Sequence, residues 1–278
     1  MSYKTILVHL DNTERCAERV RVASNLALRY SAHLVGLACV GSVYVPSPVG
    51  GVVGESYIRD MLELQRKQAR EALQAFEAQA KKIGVASVEC RQSEREDEDA
   101  VVLHSRYADL VVIGQTDEQD GVTRIRRDFP QQVMMSAGRP VLVVPYAGRF
   151  DKVGQNVLAT WNASLESARA ITDALPLLRD AKLVRVAVFN ADSDYKGHGD
   201  VPGADIALHL SRHGVKVELC QETTDIEIGA ALLSRAADWD SDLIVMGGYG
   251  HSRMRELLVG GVTRTLLSTM TVPVLMSH

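Results

Sequence analysis

ADLVVIG at 108–114 and SDLIVMG at 241–247 decide the fold of this 278-residue chain. Each is a short apolar run opened by a small residue and Asp and closed by Gly. Such runs, unbroken by polar positions and too short for a helix, read as strands buried on both faces of a parallel sheet. They lie 133 residues apart, and so do RPVLVV (139–144) and VPVLMS (272–277), so the segment between them aligns without a gap. ILVHLDNT (6–13) and VLATWNAS (157–164) match at a spacing of 151. In the helical stretches that follow, Ala17 pairs with Ala168, Ala23 with Ala174 and Leu26 with Leu177. The chain is written twice, and a tandem duplication is expected.

Strand-like and helix-like segments alternate in each copy. In the second, the expected strands are NVLATW, LVRVAVFN, VKVELC, DLIVMG and VPVLMS. The expected helices between them are SLESARAITDALPLL, ADIALHLSRHG, IEIGAALLSRAAD and RELLVGGVTRTLLSTM. Five strands with intervening helices predict a doubly wound α/β unit, twice over: an N-terminal domain at 1–146 and a C-terminal domain at 150–278, with PYAGRFDK (145–152) as linker. The drop in spacing from 151 to 133 gives the first copy 18 extra residues in its middle. That is where YIRDMLELQRKQAREALQAFEAQAKKIG (57–84) lies, an amphipathic helix ended by Gly84. It either packs one face on its own half or meets the other half or another subunit.

Composition narrows the function. With 46% hydrophobic residues, 24% charged residues and a net charge of −4, the chain reads as soluble and globular. That mildly acidic balance gives no electrostatic reason to expect nucleic acid as a partner. No segment reaches the ~18 uncharged apolar residues of a membrane span, so no membrane partner is expected. MSYKTILVHLDN has no secretory signal pattern. Cys16, Cys39, Cys90 and Cys220 are scattered without a CxxC pair, which favours buried thiols over a disulfide framework or a zinc site. A cytoplasmic location is the expectation.

GGYGHSRMRELLVGG (247–261) follows the fourth strand of the second copy, at the edge where open parallel sheets bind ligands. Gly247 and Gly250 permit a turn whose N–H groups face an anion, and Gly260 and Gly261 let a second backbone segment approach. The helix that VTRTLLSTM begins would present its N-terminal N–H groups to phosphate, with the Thr263 hydroxyl and the charges of His251, Arg253 and Arg264 nearby. The spacing is neither GxxxxGK[ST] nor a well-placed GxGxxG, so glycines serving only turns and packing are the competing reading.

The same stretch resembles the nucleotide loop of universal stress proteins, G-x2-G-x9-G-[S/T]. Gly247, Gly250 and Gly260 fall on the three glycines, and Gly261 stands where the family has Ser or Thr, with Thr263 two residues on. The resemblance covers essentially the whole chain as two tandem copies. It implies a Rossmann-like fold of the adenine nucleotide alpha hydrolase kind, with an Asp at the end of the first strand and an adenine contact at the end of the second. Carried over, the Asp position holds Asn162 in the second copy, beside Trp161, and Asp11 in the first. The adenine position is Val188, with Cys39 as its counterpart, and Val262 joins the loop contacts. The implied ligand is ATP or another adenine nucleotide, with Mg²⁺ as a candidate companion, in the C-terminal domain only. The family commonly dimerises through its last strand, so VPVLM and PVLVV can pair within one chain. A homodimer and unidentified protein partners stay open.

In the first copy Asp117, Arg127 and Asp128 occupy the places of Gly250, Gly260 and Gly261, adding bulk, and the two carboxylates set like charge against phosphate. The N-terminal half is therefore expected not to bind ATP in this manner. His209 and His213 stand four apart on a helix without a convincing third ligand, and a solvated face is expected. ADSDYKGHGDVPG (191–203) lacks the closing Glu of a calcium loop and reads as a flexible loop over the cleft, within reach of ligand through Lys196 or His198. There is no GxSxG elbow, and no general base is placed for water attack, so at most slow ATP hydrolysis is expected. The leading reading is a nucleotide-binding stress-response factor; the alternative is a scaffold that binds no nucleotide and acts through protein partners.

Overall fold

The computed structural model describes residues 2–42, 55–117, 125–191, 201–248 and 261–278. The first half runs β1 (Thr5–Leu10), α1 (Cys16–Tyr30), β2 (His33–Cys39), α2 (Glu55–Ile83), β3 (Val88–Ser93), α3 (Asp97–Ser105), β4 (Leu110–Gly114), α4 (Phe129–Ser136) and β5 (Val141–Val144). The second runs β6 (Asn156–Thr160), α5 (Leu165–Asp180), β7 (Leu183–Phe189), α6 (Ala204–Arg212), β8 (Val217–Glu222), α7 (Ile228–Asp238), β9 (Leu243–Gly247), α8 (Gly261–Thr269) and β10 (Val274–Ser277). The strands and helices expected from the sequence are present, although the part of the last helix expected before Gly261 lies outside the described residues.

Within each half the strands are parallel, ordered β3-β2-β1-β4-β5 and β8-β7-β6-β9-β10. The two sheets do not stay separate. β5 and β10 pair antiparallel, Val143 opposite Val274, Leu142 opposite Leu275 and Val141 opposite Met276, making one ten-stranded sheet. All six of these residues are fully buried. A four-residue strand apolar on both faces would be a sticky edge if left unpaired, and here each half covers the other's edge.

Side chains alternate across the sheet, and the core divides accordingly. Ile6, Val8 and Leu10 of β1 join Leu26, Leu177 and Leu275 on one face, while Leu7 joins Val111, Met134 and Leu266 on the other. Both layers therefore cross the seam. Polar contacts cross it too: Gln115 Nε2 donates to Leu267 O at 2.9 Å and Tyr3 Oη donates to Asp173 O at 2.8 Å.

The insertion in the first half becomes α2, which packs on β2, β3 and α1 of its own half. Phe76 seats it: a Cβ at Gly36 would stand 2.5 Å from that ring, so β2 needs glycine there. Gly84, at φ +99°, ends the helix as expected. In the second half Ser164 caps α5, its hydroxyl accepting from Ser167 N at 3.2 Å.

Leu275→Ala tests the seam. Removing a fully buried side chain there is expected to cost about 2–5 kcal/mol in urea unfolding, with both halves losing structure in one shifted transition. A change no larger than that of a surface substitution would mean that the seam is not packed.

Candidate functional site

Consecutive parallel strands bring their carboxyl ends to one edge in each half. In the second, Thr160 of β6 lies opposite Ala187 of β7, and Ala159 lies opposite Val245 of β9. Two residues beyond the Ala159–Val245 pair, Trp161 and Gly247 close the same edge. Trp161 is half-buried, packs on the core and donates its backbone N–H to Ala187 O at 3.0 Å. Asn162 is exposed, and its Oδ1 accepts from Ser164 N at 3.2 Å. Val188 is 1% exposed, and a Cβ on Gly203 would meet its methyl group at 2.9 Å. Its side chain is a core side chain.

The glycines separate into different kinds. A Cβ on Gly247 would lie 2.5 Å from Ser167 N and 2.6 Å from Glu166 C, so this glycine is required for α5 to pack against the end of β9. Gly261, by contrast, opens α8 in nearly empty surroundings: the nearest atom to its would-be Cβ is Glu227 Oε1 at 3.9 Å. Among the described residues, nothing in the packing there requires a glycine. Val262 is half-buried against the core, and Thr263 is 3% exposed. Gly250, His251, Gly260 and Arg253 lie outside the described residues, as do Lys196 and His198. Glu227, which the sequence reading passed over, caps α7 by accepting from Ala230 N at 3.0 Å and brings a carboxylate to the start of α8.

The equivalent edge of the first half holds a cavity of about 460 Å³, lined by Asp11, Arg19, Gly114, Gln115, Phe129 and Tyr146 among others. Its chemistry is different. Arg19 is 3% exposed, pairs with Asp11 at 2.6 Å and lies against Gly114, where a Cβ would collide with its guanidinium. The residue at the matching place on α5 is Ala170, fully buried. Asp11 keeps the turn seen at Asn162, accepting from Thr13 N at 3.0 Å and from the Thr13 hydroxyl at 2.6 Å. At the start of α4, Asp128 pairs with Arg126 at 2.8 Å, an arrangement that puts a carboxylate where the second half has Gly261. That pairing with Arg126 lowers the Asp128 pKa. Sequence spacing identified the charged replacements in the loop but not Arg19, which sits in a helix and looks like any surface arginine.

His209 stands on α6 and His213 caps its C-terminal end, with rings 4.6 Å apart, and His213 Nδ1 faces the Arg179 guanidinium at 3.1 Å. A cation beside the imidazole disfavours a metal there. No helix among the described residues is long and apolar enough to cross a membrane.

Burial alone would raise the Asp11 pKa, but Arg19, with His9 and the Thr13 donors, overrides this and holds it at about 2. A carboxyl lowered on folding contributes stability above its unfolded value, and that contribution is lost as pH falls toward about 2. Asp11→Asn leaves Arg19 buried without its counter-charge and is expected to cost about 3–5 kcal/mol at neutral pH. The gap from the unsubstituted protein should narrow in acid, as urea unfolding across that range will read; a gap independent of pH would contradict the pairing.

The model of the Universal stress protein family matches residues 2–145 and again 155–278. A curated relative, universal stress protein Slr1230 of Synechocystis, is 22% identical over 273 residues, covering 92% of this chain and 90% of its own. Among solved structures, a universal stress protein from Archaeoglobus fulgidus superposes with a TM-score of 0.73 at 16% identity, covering 98% of this chain and 95% of its own. The functionally unknown protein PA1789 of Pseudomonas aeruginosa follows with a TM-score of 0.61 at 14% identity, covering 99% and 92%. The two structural likenesses speak to the fold, and the family match spans both halves: the chain is a tandem member of the universal stress protein family.

Proposed function

We propose that the chain is a cytoplasmic stress-response factor that binds ATP or another adenine nucleotide in its C-terminal half alone. The observation that carries this reading is the contrast between the two loops. The first half builds the same fold with Asp117, Arg127 and Asp128 where the second has Gly250, Gly260 and Gly261. Among the described residues, Gly261 itself has no neighbour that would exclude a side chain. Glycines that the fold does not demand, placed before a helix N-terminus at the ligand edge of a parallel sheet, suit an anion approached by backbone N–H groups. Gly247 adds no weight to this reading, since packing accounts for it. Trp161 at the same edge offers a face for a base, and Asn162 an uncharged hydrogen-bonding group.

Glu227 has a consequence for the ligand's form. Its carboxylate beside the start of α8 opposes a bare polyphosphate, and Mg²⁺ on the phosphates offsets that repulsion. The proposed role is ligand-dependent signalling, with at most slow hydrolysis.

Titration of the full chain with labelled ATP and Mg²⁺ tests the reading. The unsubstituted protein is expected to bind, and Gly250→Asp with Gly260→Arg, which copies the first half into the second, to weaken binding by at least about tenfold, or about 1.4 kcal/mol. Equal binding by this variant would move the site elsewhere, the cavity beside Arg19 included. No binding by either protein favours the scaffold reading, toward which Gly261 and Asn162, both departures from the family pattern, already lean. In a second titration without Mg²⁺, Glu227→Gln is expected to tighten binding about fivefold, the effect of one unit charge at about 4 Å in water-like screening.

A further inference from the structure

His9, Cys39 and Asp97 are far apart in the sequence and pattern-free as a set. The fold brings them together: His9 lies in β1, Cys39 ends the neighbouring strand β2, and Asp97 is the first residue of α3. One imidazole nitrogen, the Cys39 sulfur and a carboxylate oxygen lie within 4.8 Å of one another, and the three residues are 0%, 4% and 7% exposed. His9 Nε2 is 2.7 Å from Asp97 Oδ1. His9 Nδ1 is buried and has no hydrogen-bond partner among the described residues.

We propose that the first half binds one divalent transition-metal ion, Zn²⁺ by its chemistry, on His9, Cys39 and Asp97. Nitrogen, sulfur and oxygen donors together are the ligand types that Zn²⁺ takes, and three protein ligands leave a fourth position open. Charge favours the assignment as well. A thiolate, a carboxylate and a neutral imidazole balance a divalent cation, so the completed site carries no net charge into the core. Binding releases the Cys39 thiol proton to solvent, and no electron changes hands. Nε2 is the imidazole nitrogen on the Asp97 side, so it is the one that would ligate, the ion replacing the His9–Asp97 hydrogen bond while the imidazole proton shifts to Nδ1.

The ion has a route in. The Phe129 ring packs 4.9 Å from the His9 ring and also lines the cavity beside Asp11 and Arg19, so one aromatic side chain stands between that cavity and the cluster. Among the described residues, no comparable cluster lies across the seam. The matching places in the second half are Thr160, Val188 and Ile228, two of them without any donor atom in the side chain. The site would tie β1, β2 and α3 together at the edge where the second half is proposed to receive its base, and it stands whether or not that nucleotide binds.

Co²⁺ is the probe, added to the metal-stripped, reduced full chain, because a thiolate ligand gives it a charge-transfer absorption that nitrogen and oxygen ligands alone do not. One equivalent per chain is expected to develop that band, and Zn²⁺ to displace it and to raise Tm. Cys39→Val, which installs the residue found at the matching place in β7, is expected to remove the band. Asp97→Asn is expected to weaken Co²⁺ binding by more than about tenfold. A variant with Cys16, Cys90 and Cys220 all changed to Ser is expected to keep the band, so the assignment does not depend on Cys39→Val folding. Absence of the band in the unsubstituted protein, or its loss in the triple variant, overturns the proposal.

Discussion

The antiparallel pairing of β5 with β10 is the constraint on which the rest of the molecule depends. Parallel strands cannot close a sheet on themselves here, and each half ends in a four-residue apolar strand that needs a partner along its outer edge. Val141, Leu142 and Val143 find it in Met276, Leu275 and Val274, and the hydrogen-bonded ladder passes without a break from β3 to β8. Because both apolar layers continue over the seam, neither half keeps a private core. A change at Gln115 or Met134 is felt in α8 or beside Gly248 of the other half.

That continuity gives two equivalent edges freedom to diverge. In the first half, Arg19 pairs with Asp11 in the interior, Asp128 pairs with Arg126 at the surface, and His9 hydrogen-bonds Asp97. In the second half one member of each pair is replaced by a small or apolar residue, Ala170 for Arg19, Gly261 for Asp128 and Ile228 for Asp97, while Asn162 and Thr160 stand for Asp11 and His9 without charge. One copy is stabilised from within. The other is read as completed by its ligand.

Much of this was legible in the sequence. Strands buried on both faces are continuous apolar runs, so DLIVMG and VPVLMS announced themselves, and the constant spacing of 133 carried their order into the first copy. The long helix ended by Gly84 followed from its period. What stayed hidden depends on contacts between distant residues. Gly247 looked like part of an anion loop until α5 was found within van der Waals distance of it. Arg19 is one arginine among many until it lies against Gly114. His9, Cys39 and Asp97 carry no spacing signal because three different elements supply them, and the scattered cysteines argued against a metal for the same reason. Val188, given weight by resemblance, has a side chain that packing alone explains.

A crystal structure grown with a non-hydrolysable ATP analogue and Mg²⁺ tests the central claim most directly. The account predicts nucleotide density at the C-terminal edge, with phosphates at the start of α8 and the base beside Trp161, and none beside Arg19. Nucleotide in the cavity of the first half, or in neither half at saturating concentration, would contradict it.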